Sequence, residues 1–267
     1  MIAQVNTPQR RARFRRACRG RWVLDALLPL DQSIFGPSQP GRFFAGPTLA
    51  LELNGSTAWA AGSANPQELA SFLAFCGCTS LVLPGDSLPP EGWQKAETLT
   101  VFGLAPGRAL PLPQVDPALW AQLTLDREPS ALAVARALYP ADPSRQEDCY
   151  SELCSKRSRG RAMVWALDRG GQTVCTVGAY ARYNGQAYMA CGQTLEALRG
   201  QKLGGRLIVE MANALAGAGE QPVFLCGPAR VRFYTRLGFP KLAEYARYEP
   251  SQSPPDGGDS SPERGSC

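Results

Sequence analysis

The chain has no histidine in 267 residues. That removes the commonest general base at neutral pH and the commonest zinc ligand together. There is no C-x-x-C pair either, although nine cysteines occur, at 18, 76, 78, 149, 154, 175, 191, 226 and 267. The number is odd, and several sit in apolar runs such as Val174–Val177 and Phe224–Cys226, where a reduced thiol serves as a small hydrophobe. Cys76-Gly77-Cys78 reads as two core thiols. A disulfide framework is not expected, and neither is a metal site. No apolar run approaches the ~20 residues of a membrane span. No apolar stretch follows the basic N-terminus, so no secretory leader is expected. Acid is missing from the first 21 residues, which carry seven arginines (10, 11, 13, 15, 16, 19 and 21). Subtracting those seven from the net charge of +5 leaves −2 for residues 22–267. The basic character is thus a property of the N-terminal arm, and the body makes no electrostatic case for nucleic acid.

What is present is an ordinary globular composition, with 44% hydrophobic and 19% charged residues, long enough for one large unit or two small ones. Prolines at 106, 111, 113 and 117 mark residues 106–117 as a linker. Residues 1–20 read as a basic, partly disordered lead or a first helix with one charged face. Residues 21–105 read as a small α/β unit. A helix is expected from Arg21 to Leu30, and a hairpin turns at Asn54-Gly55. Asn65-Pro66 caps a helix from Pro66 to Phe75, followed by a strand at Thr79–Leu83. After the linker, helices are expected at Pro117–Leu125, Ser130–Leu138 and Asp148–Ser158. A hairpin of Arg161–Asp168 and Thr173–Tyr183 and a strand at Ala187–Thr194 follow. Residues 250–267, rich in Ser, Pro, Gly and Asp, read as a disordered tail.

The stretch from Gln193 to Phe239 carries the chemistry. Arg199-Gly200-Gln201-Lys202-Leu203-Gly204-Gly205 opens into a helix in which Leu203, Leu207, Met211 and Leu215 recur every fourth residue. The first N–H groups of a helix lack internal partners, and its dipole favours negative charge there. Glycines at 200, 204 and 205 let a phosphate approach those groups, and Arg199 and Lys202 add positive charge. The pattern is a pyrophosphate cradle. It is not a nucleotide P-loop, which ends in Gly-Lys-Ser/Thr, nor a dinucleotide G-x-G-x-x-G turn.

Arg199, Lys202 and Gly204 stand at the three defined positions of the Gln/Arg-x-x-Gly-x-Gly/Ala loop of the GNAT superfamily of N-acetyltransferases, with Lys202 in place of the middle glycine. One helix and one strand later, Phe233-Tyr234-Thr235-Arg236-Leu237-Gly238-Phe239 resembles that superfamily's F-Y-x-x-x-G-F segment. The resemblance covers residues 160–248. It implies an α/β (α+β) fold with a central mixed, mostly antiparallel sheet flanked by helices. It assigns residues 118–249 to an acetyltransferase domain. Residues 21–105, which carry no phosphate loop, resemble the incomplete N-terminal half of tandem members.

By the same resemblance, acetyl-CoA or another acyl-CoA is the co-substrate. The loop residues Arg199, Gly200, Gln201, Lys202, Leu203, Gly204 and Gly205 would hold its phosphates. Gly192, Gln193 and Thr194 would lie along its pantetheine arm through their backbone. Tyr234 would protonate the leaving thiolate. The acceptor would be a primary amine of a small molecule or peptide, attacking directly through a tetrahedral intermediate. Glu152, Glu196, Glu210 and Glu244 are bases by residue type only, and none is assigned. The alternative is a non-catalytic acyl-CoA-binding regulator or scaffold. A cytoplasmic protein is expected, with no membrane partner, and with nucleic acid considered only for the arginines of residues 10–21.

Overall fold

A computed structural model describes residues 1–251; the tail residues 252–267, expected to be disordered, lie outside the described residues. The chain opens with strand β1 (Ala3–Gln4) and helix α1 (Pro8–Cys18). The Thr7 hydroxyl accepts the Arg10 N–H at the start of α1, and Phe14 and Cys18, one turn apart, are buried. Of the two readings of residues 1–20, the structure has the first helix with one charged face, its apolar stripe anchored in the core. Helix α2 (Leu24–Phe35) begins three residues later than the composition suggests. Val23, at φ 68°, makes a tight turn before it. That turn is clamped by Gln186 Oε1, which accepts the Val23 N–H at 3.0 Å, and by the Tyr245 hydroxyl, which donates to the Trp22 carbonyl at 2.6 Å.

Strands β2 (Phe43–Ala45), β3 (Thr48–Asn54) and β4 (Thr57–Ser63) form a meander. Helix α3 (Pro66–Phe75) and strands β5 (Ser80–Pro84) and β6 (Trp93–Gly103) complete the N-terminal half. The expected helix from Pro117 is a single turn, α4 (Pro117–Trp120). The chain then joins the sheet edge as β7 (Thr124–Asp126), pairing with the next strand. Helices α5 (Ala131–Leu138) and α6 (Pro143–Arg157) precede the β8–β9 hairpin (Met163–Arg169 and Gln172–Tyr183). Strand β10 (Gln186–Thr194), helix α7 (Leu203–Gly217), strand β11 (Gln221–Cys226), helix α8 (Pro228–Arg236) and strand β12 (Lys241–Pro250) follow.

The twelve strands among the described residues join one sheet, in the order β1-β2-β3-β4-β5-β12-β6-β11-β10-β9-β8-β7. The two halves exchange strands. The last described strand, β12, lies between β5 and β6 and pairs antiparallel with both. In return β6 lies between β12 and β11. Residues 106–117 are correspondingly not a free spacer. The Asn213 side chain accepts the Leu110 N–H and donates to the Leu110 carbonyl, both at 2.8 Å, and the Gly107 N–H reaches the Ala216 carbonyl at 2.8 Å. The prolines keep this segment extended while α7 supplies its hydrogen bonds.

Side chains alternate between the two faces of the sheet. On one face, α7 and α8 cover a core that includes Phe102, Phe224 and Cys226, and α3 covers Leu81, Leu83 and Ala246. On the other, α1 and α2 cover Leu99, Val101, Val223 and Tyr245, and α5 and α6 pack beside them. Where α2 meets α6, charges are buried. Lys156 Nζ lies 2.8 Å from Asp31 and 2.7 Å from Glu152, and Arg42 lies 2.6 Å from Glu52 and 3.5 Å from Asp31. Lys156 joins the halves, since Asp31 belongs to the N-terminal half and Lys156 to the C-terminal one.

Candidate active site

The site begins where two parallel strands part. β10 and β11 pair only over Gln186–Tyr188 and Gln221–Val223. Beyond that, β11 keeps to β6, while β10 keeps to β9 through a ladder broken by bulges after Tyr188 and Ala190. The strands diverge and leave a wedge. An inner cavity of about 340 Å3 fills it, lined among others by Gly192, Ile208, Cys226, Gly227, Arg230 and Tyr234. Tyr188 and Leu225 line it from the other face of the sheet, so the cavity passes between the strands.

An outer pocket of about 590 Å3 lies at the N-terminus of α7. Thr194, Arg199, Gly200, Lys202, Leu203, Gly204 and Gly205 line it, with Pro113, Phe233 and Arg236 opposite. No side chain caps α7. The capping position belongs to Lys202, held in the left-handed region at φ 63°, ψ 7°, a conformation that favours glycine. This is the position at which the loop pattern has its middle glycine. A Cβ at Gly204 would come within 2.9 Å of the Thr194 hydroxyl, so the residue must be small for the first turn to sit against the end of β10. The Thr194 hydroxyl is in turn 3.3 Å from Cys175 Sγ. The Arg199 Nε donates to the Thr194 carbonyl at 3.3 Å, which folds its exposed guanidinium over the loop.

Tyr234 sits among rings. Its centroid is 4.3 Å from Phe224, 5.0 Å from Phe233 and 5.7 Å from Phe102. Burial pushes its phenol above the usual range, and the nearby Arg230 guanidinium opposes that shift. The net direction is upward, so the hydroxyl remains protonated near neutral pH.

One of the residues expected at the site is placed elsewhere, and a second, expected to act through its backbone, turns its side chain away. The Gln193 side chain belongs to a different groove, with Arg136, Cys175 and Leu195, because neighbours on a strand point to opposite faces. Gln201 is exposed and lines neither cavity. None of the four carboxylates considered as bases lines either cavity: Glu152 pairs with Lys156, Glu196 with Arg199, Glu210 with Arg206, and the Glu244 main chain accepts the Gly85 N–H. The sequence reading missed Cys226, Gly227 and Tyr188 in the cavity wall. Their only signal is position beside the point where β10 and β11 part, which requires the pairing to be known.

No protein-family model and no curated protein matches the chain. Solved structures do. A GCN5-related N-acetyltransferase from Sphaerobacter thermophilus superposes with a TM-score of 0.62 at 13% identity, over 93% of this chain and 94% of that one. A tandem GNAT protein from the clavulanic acid biosynthesis pathway gives 0.61 at 14% identity, over 95% and 99%. The chain has the GNAT fold. A GCN5-related N-acetyltransferase from Kribbella flavida agrees, at a TM-score of 0.55 and 18% identity over 77% of this chain and 87% of that one. Gly192 of the inner cavity and Thr194 of the outer pocket stand two residues apart on β10, and Tyr234 and Phe233 are neighbours on α8, so the two cavities lie side by side. Among the described residues no cluster of His, Cys, Asp or Glu is arranged to hold a metal ion, and no helix is long and apolar enough to cross a membrane.

Proposed function

We propose that the chain transfers an acetyl group from acetyl-CoA to a primary amine. The observation that carries this reading is an uncapped, glycine-lined helix N-terminus standing beside two parting strands whose cavity is lined by a protonated tyrosine. The outer pocket supplies what a pyrophosphate needs: first-turn N–H groups, the positive end of the α7 dipole, and the Arg199 and Lys202 charges. Gly204, small enough to sit against Thr194, keeps the first turn of α7 close to the end of β10. Gly192 and Thr194 offer main-chain groups along the wedge, where a pantetheine arm would run as an added strand. In the inner cavity, backbone N–H groups at the end of β10 would take up the charge that develops on the acyl oxygen. Tyr234 would give its proton to the departing sulfur.

Calorimetry with acetyl-CoA is the direct test, and wild-type protein that does not bind it sinks the reading. Tyr234→Phe separates chemistry from packing. It keeps the ring among its neighbours and removes only the hydroxyl, so the acetyl-CoA affinity should hold while turnover falls by ~100-fold. Turnover at the wild-type level would leave Tyr234 with a packing role and favour a binding protein without catalysis.

A further inference from the structure

The inner cavity has no carboxylate of the C-terminal half in its wall, yet one reaches its rim from the other half of the chain. Strand β6 pairs with β11 through Thr100 opposite Cys226 and then runs on past the end of β11. Glu97 lies three residues beyond that last pair. The register between β6 and β12 is regular from Glu97 to Val101, and Leu99 and Val101 face the α1–α2 side. Glu97 is in step with them and projects on that side, opposite α7 and α8. Its Oε1 packs against Gly227 of the cavity wall so closely that a Cβ there would be 2.4 Å away. Its Oε2 is 3.0 Å from Arg247 Nη1, directly across on β12, which fixes the carboxylate. The pair is only half-buried, so a solute can reach it. The other charged groups acting on Cys226 are Arg230 and Lys241, both cations, which leaves Glu97 as the acid beside the end of β11.

Given the acetyl-transfer reading, on which this rests, we propose that Glu97 receives the acceptor as an ammonium at the mouth of the inner cavity and takes its first proton. The substrate class is then a cationic primary amine, entering from the face opposite the outer pocket. The proton moves from nitrogen to the Glu97 carboxylate, and the freed lone pair forms the C–N bond at the thioester carbon. The C–S bond breaks with its electron pair going to sulfur, which takes the Tyr234 proton. The second nitrogen proton returns through water to the Tyr234 oxygen, and Glu97 releases its own proton to solvent. The sum is one ammonium and one thioester converted to an amide, a thiol and a proton. The N-terminal half, which has no open phosphate loop, thereby contributes a residue to the chemistry through the exchanged strand.

The test is Glu97→Gln in the full chain, read with two kinds of acceptor and acetyl-CoA as donor. Tyramine, spermidine and the dipeptide Gly-Ala present ammonium groups near neutral pH, whereas hydroxylamine is already neutral and needs no base. The expected result is unchanged acetyl-CoA affinity by calorimetry, unchanged transfer to hydroxylamine, and a loss of ~100-fold or more in kcat/KM for the best ammonium acceptor. Glu97→Asp should recover part of that loss. An equal loss on both kinds of acceptor, or none on the ammonium acceptors, overturns the assignment of Glu97 while acetyl transfer stands. Wild-type protein that acetylates hydroxylamine but no ammonium overturns the substrate class. Wild-type protein that does not bind acetyl-CoA, or binds it and acetylates nothing, overturns the acetyl-transfer reading itself.

Discussion

Helices α3 and α7 occupy the same place in the two halves. Each follows a strand that runs parallel to the next one over three residue pairs, β4 with β5 and β10 with β11. Their N-termini are opposites. At α3 the Asn65 side chain accepts the N–H groups of Gln67 and Glu68, at 3.0 and 3.1 Å. Pro66 has no N–H to offer. Glu68 in the first turn accepts the Ile2 N–H at 2.6 Å and pairs with the chain's own amino group. Donors are used up, and an acid already stands in the first turn. At α7 no side chain caps the helix, no acid stands in the first turn, and two glycines follow the cap. The fold provides a helix end at both places, and the capping residues leave first-turn N–H groups without a side-chain partner at only one of them. The N-terminal half also lacks a counterpart of α8 between β5 and β6, so nothing stands where Tyr234 stands in the other half.

The sharpest way to break this comparison is to separate the halves. If they were independent units, residues 1–105 would fold alone. The exchange of β6 and β12 says otherwise: without β12, strands β5 and β6 have no common partner, and both expose unpaired backbone and apolar side chains. Residues 1–105 expressed alone should show no cooperative thermal transition, and the full chain should melt in one. A folded, monomeric N-terminal fragment would show that the exchange is dispensable.

The next largest effect is expected at the ionic contact between α2 and α6. Lys156 and Asp31 are each about 2% exposed. Desolvation works against both charges, and their mutual attraction opposes it. Lys156→Met leaves Asp31 without its nearest cation and should cost ~3–5 kcal/mol in a urea titration. Adding Asp31→Leu should restore most of that loss. If the double variant stays as weak as the single one, the pair is not what joins the halves at this point.

Smaller again is the contrast between the helix ends read by calorimetry. Gly204→Glu places a carboxylate and its bulk against Thr194 at the mouth of the outer pocket, and acetyl-CoA affinity should fall on the order of 100-fold. Asn65→Ala uncaps α3 and should cost about 1 kcal/mol of stability without altering that affinity. Any dependence of acetyl-CoA binding on Asn65 would mean that the two ends are less different than their hydrogen bonds indicate.

Much of this site is legible in the sequence because it is local. The glycines of the α7 loop, the four-residue recurrence of Leu203 to Leu215, the Asn65-Pro66 cap and the aromatic run of α8 all act within one or two turns of themselves. What depends on distant partners is not legible. β6 and β12 become neighbours through an exchange that no local pattern encodes. Between a disordered lead and a helix, the arginine-rich residues alone do not decide; α1 is ordered because Phe14 and Cys18 find a core built from β2 to β4. Lys156 on a polar helix reads as a solvated charge until Asp31 is brought beside it. Glu97 reads as one acid among many until β6 is laid next to β11.

Lys202 is where the local and functional readings conflict, and it permits the finest comparison of all. A lysine in the left-handed region costs ~1–2 kcal/mol relative to glycine. A cation at a helix N-terminus also meets the positive end of the dipole, at a further ~0.3–1 kcal/mol. At α3 every residue of the cap suits its position, while at α7 the capping residue is wrong on two local counts. Such a conflict is expected where binding sets the residue, because an anion seated on the loop reverses the sign of the charge interaction. Lys202→Gly should therefore move two quantities in opposite directions. Relief of the backbone, less the added freedom of glycine in the unfolded chain, should raise stability by about 1 kcal/mol or less. Loss of the charge should weaken acetyl-CoA binding by a few-fold, and the loss should shrink as salt is added. If instead the variant binds acetyl-CoA more tightly than wild type, Lys202 is a defect in the loop, and Arg199 with the α7 N–H groups carries the phosphate alone.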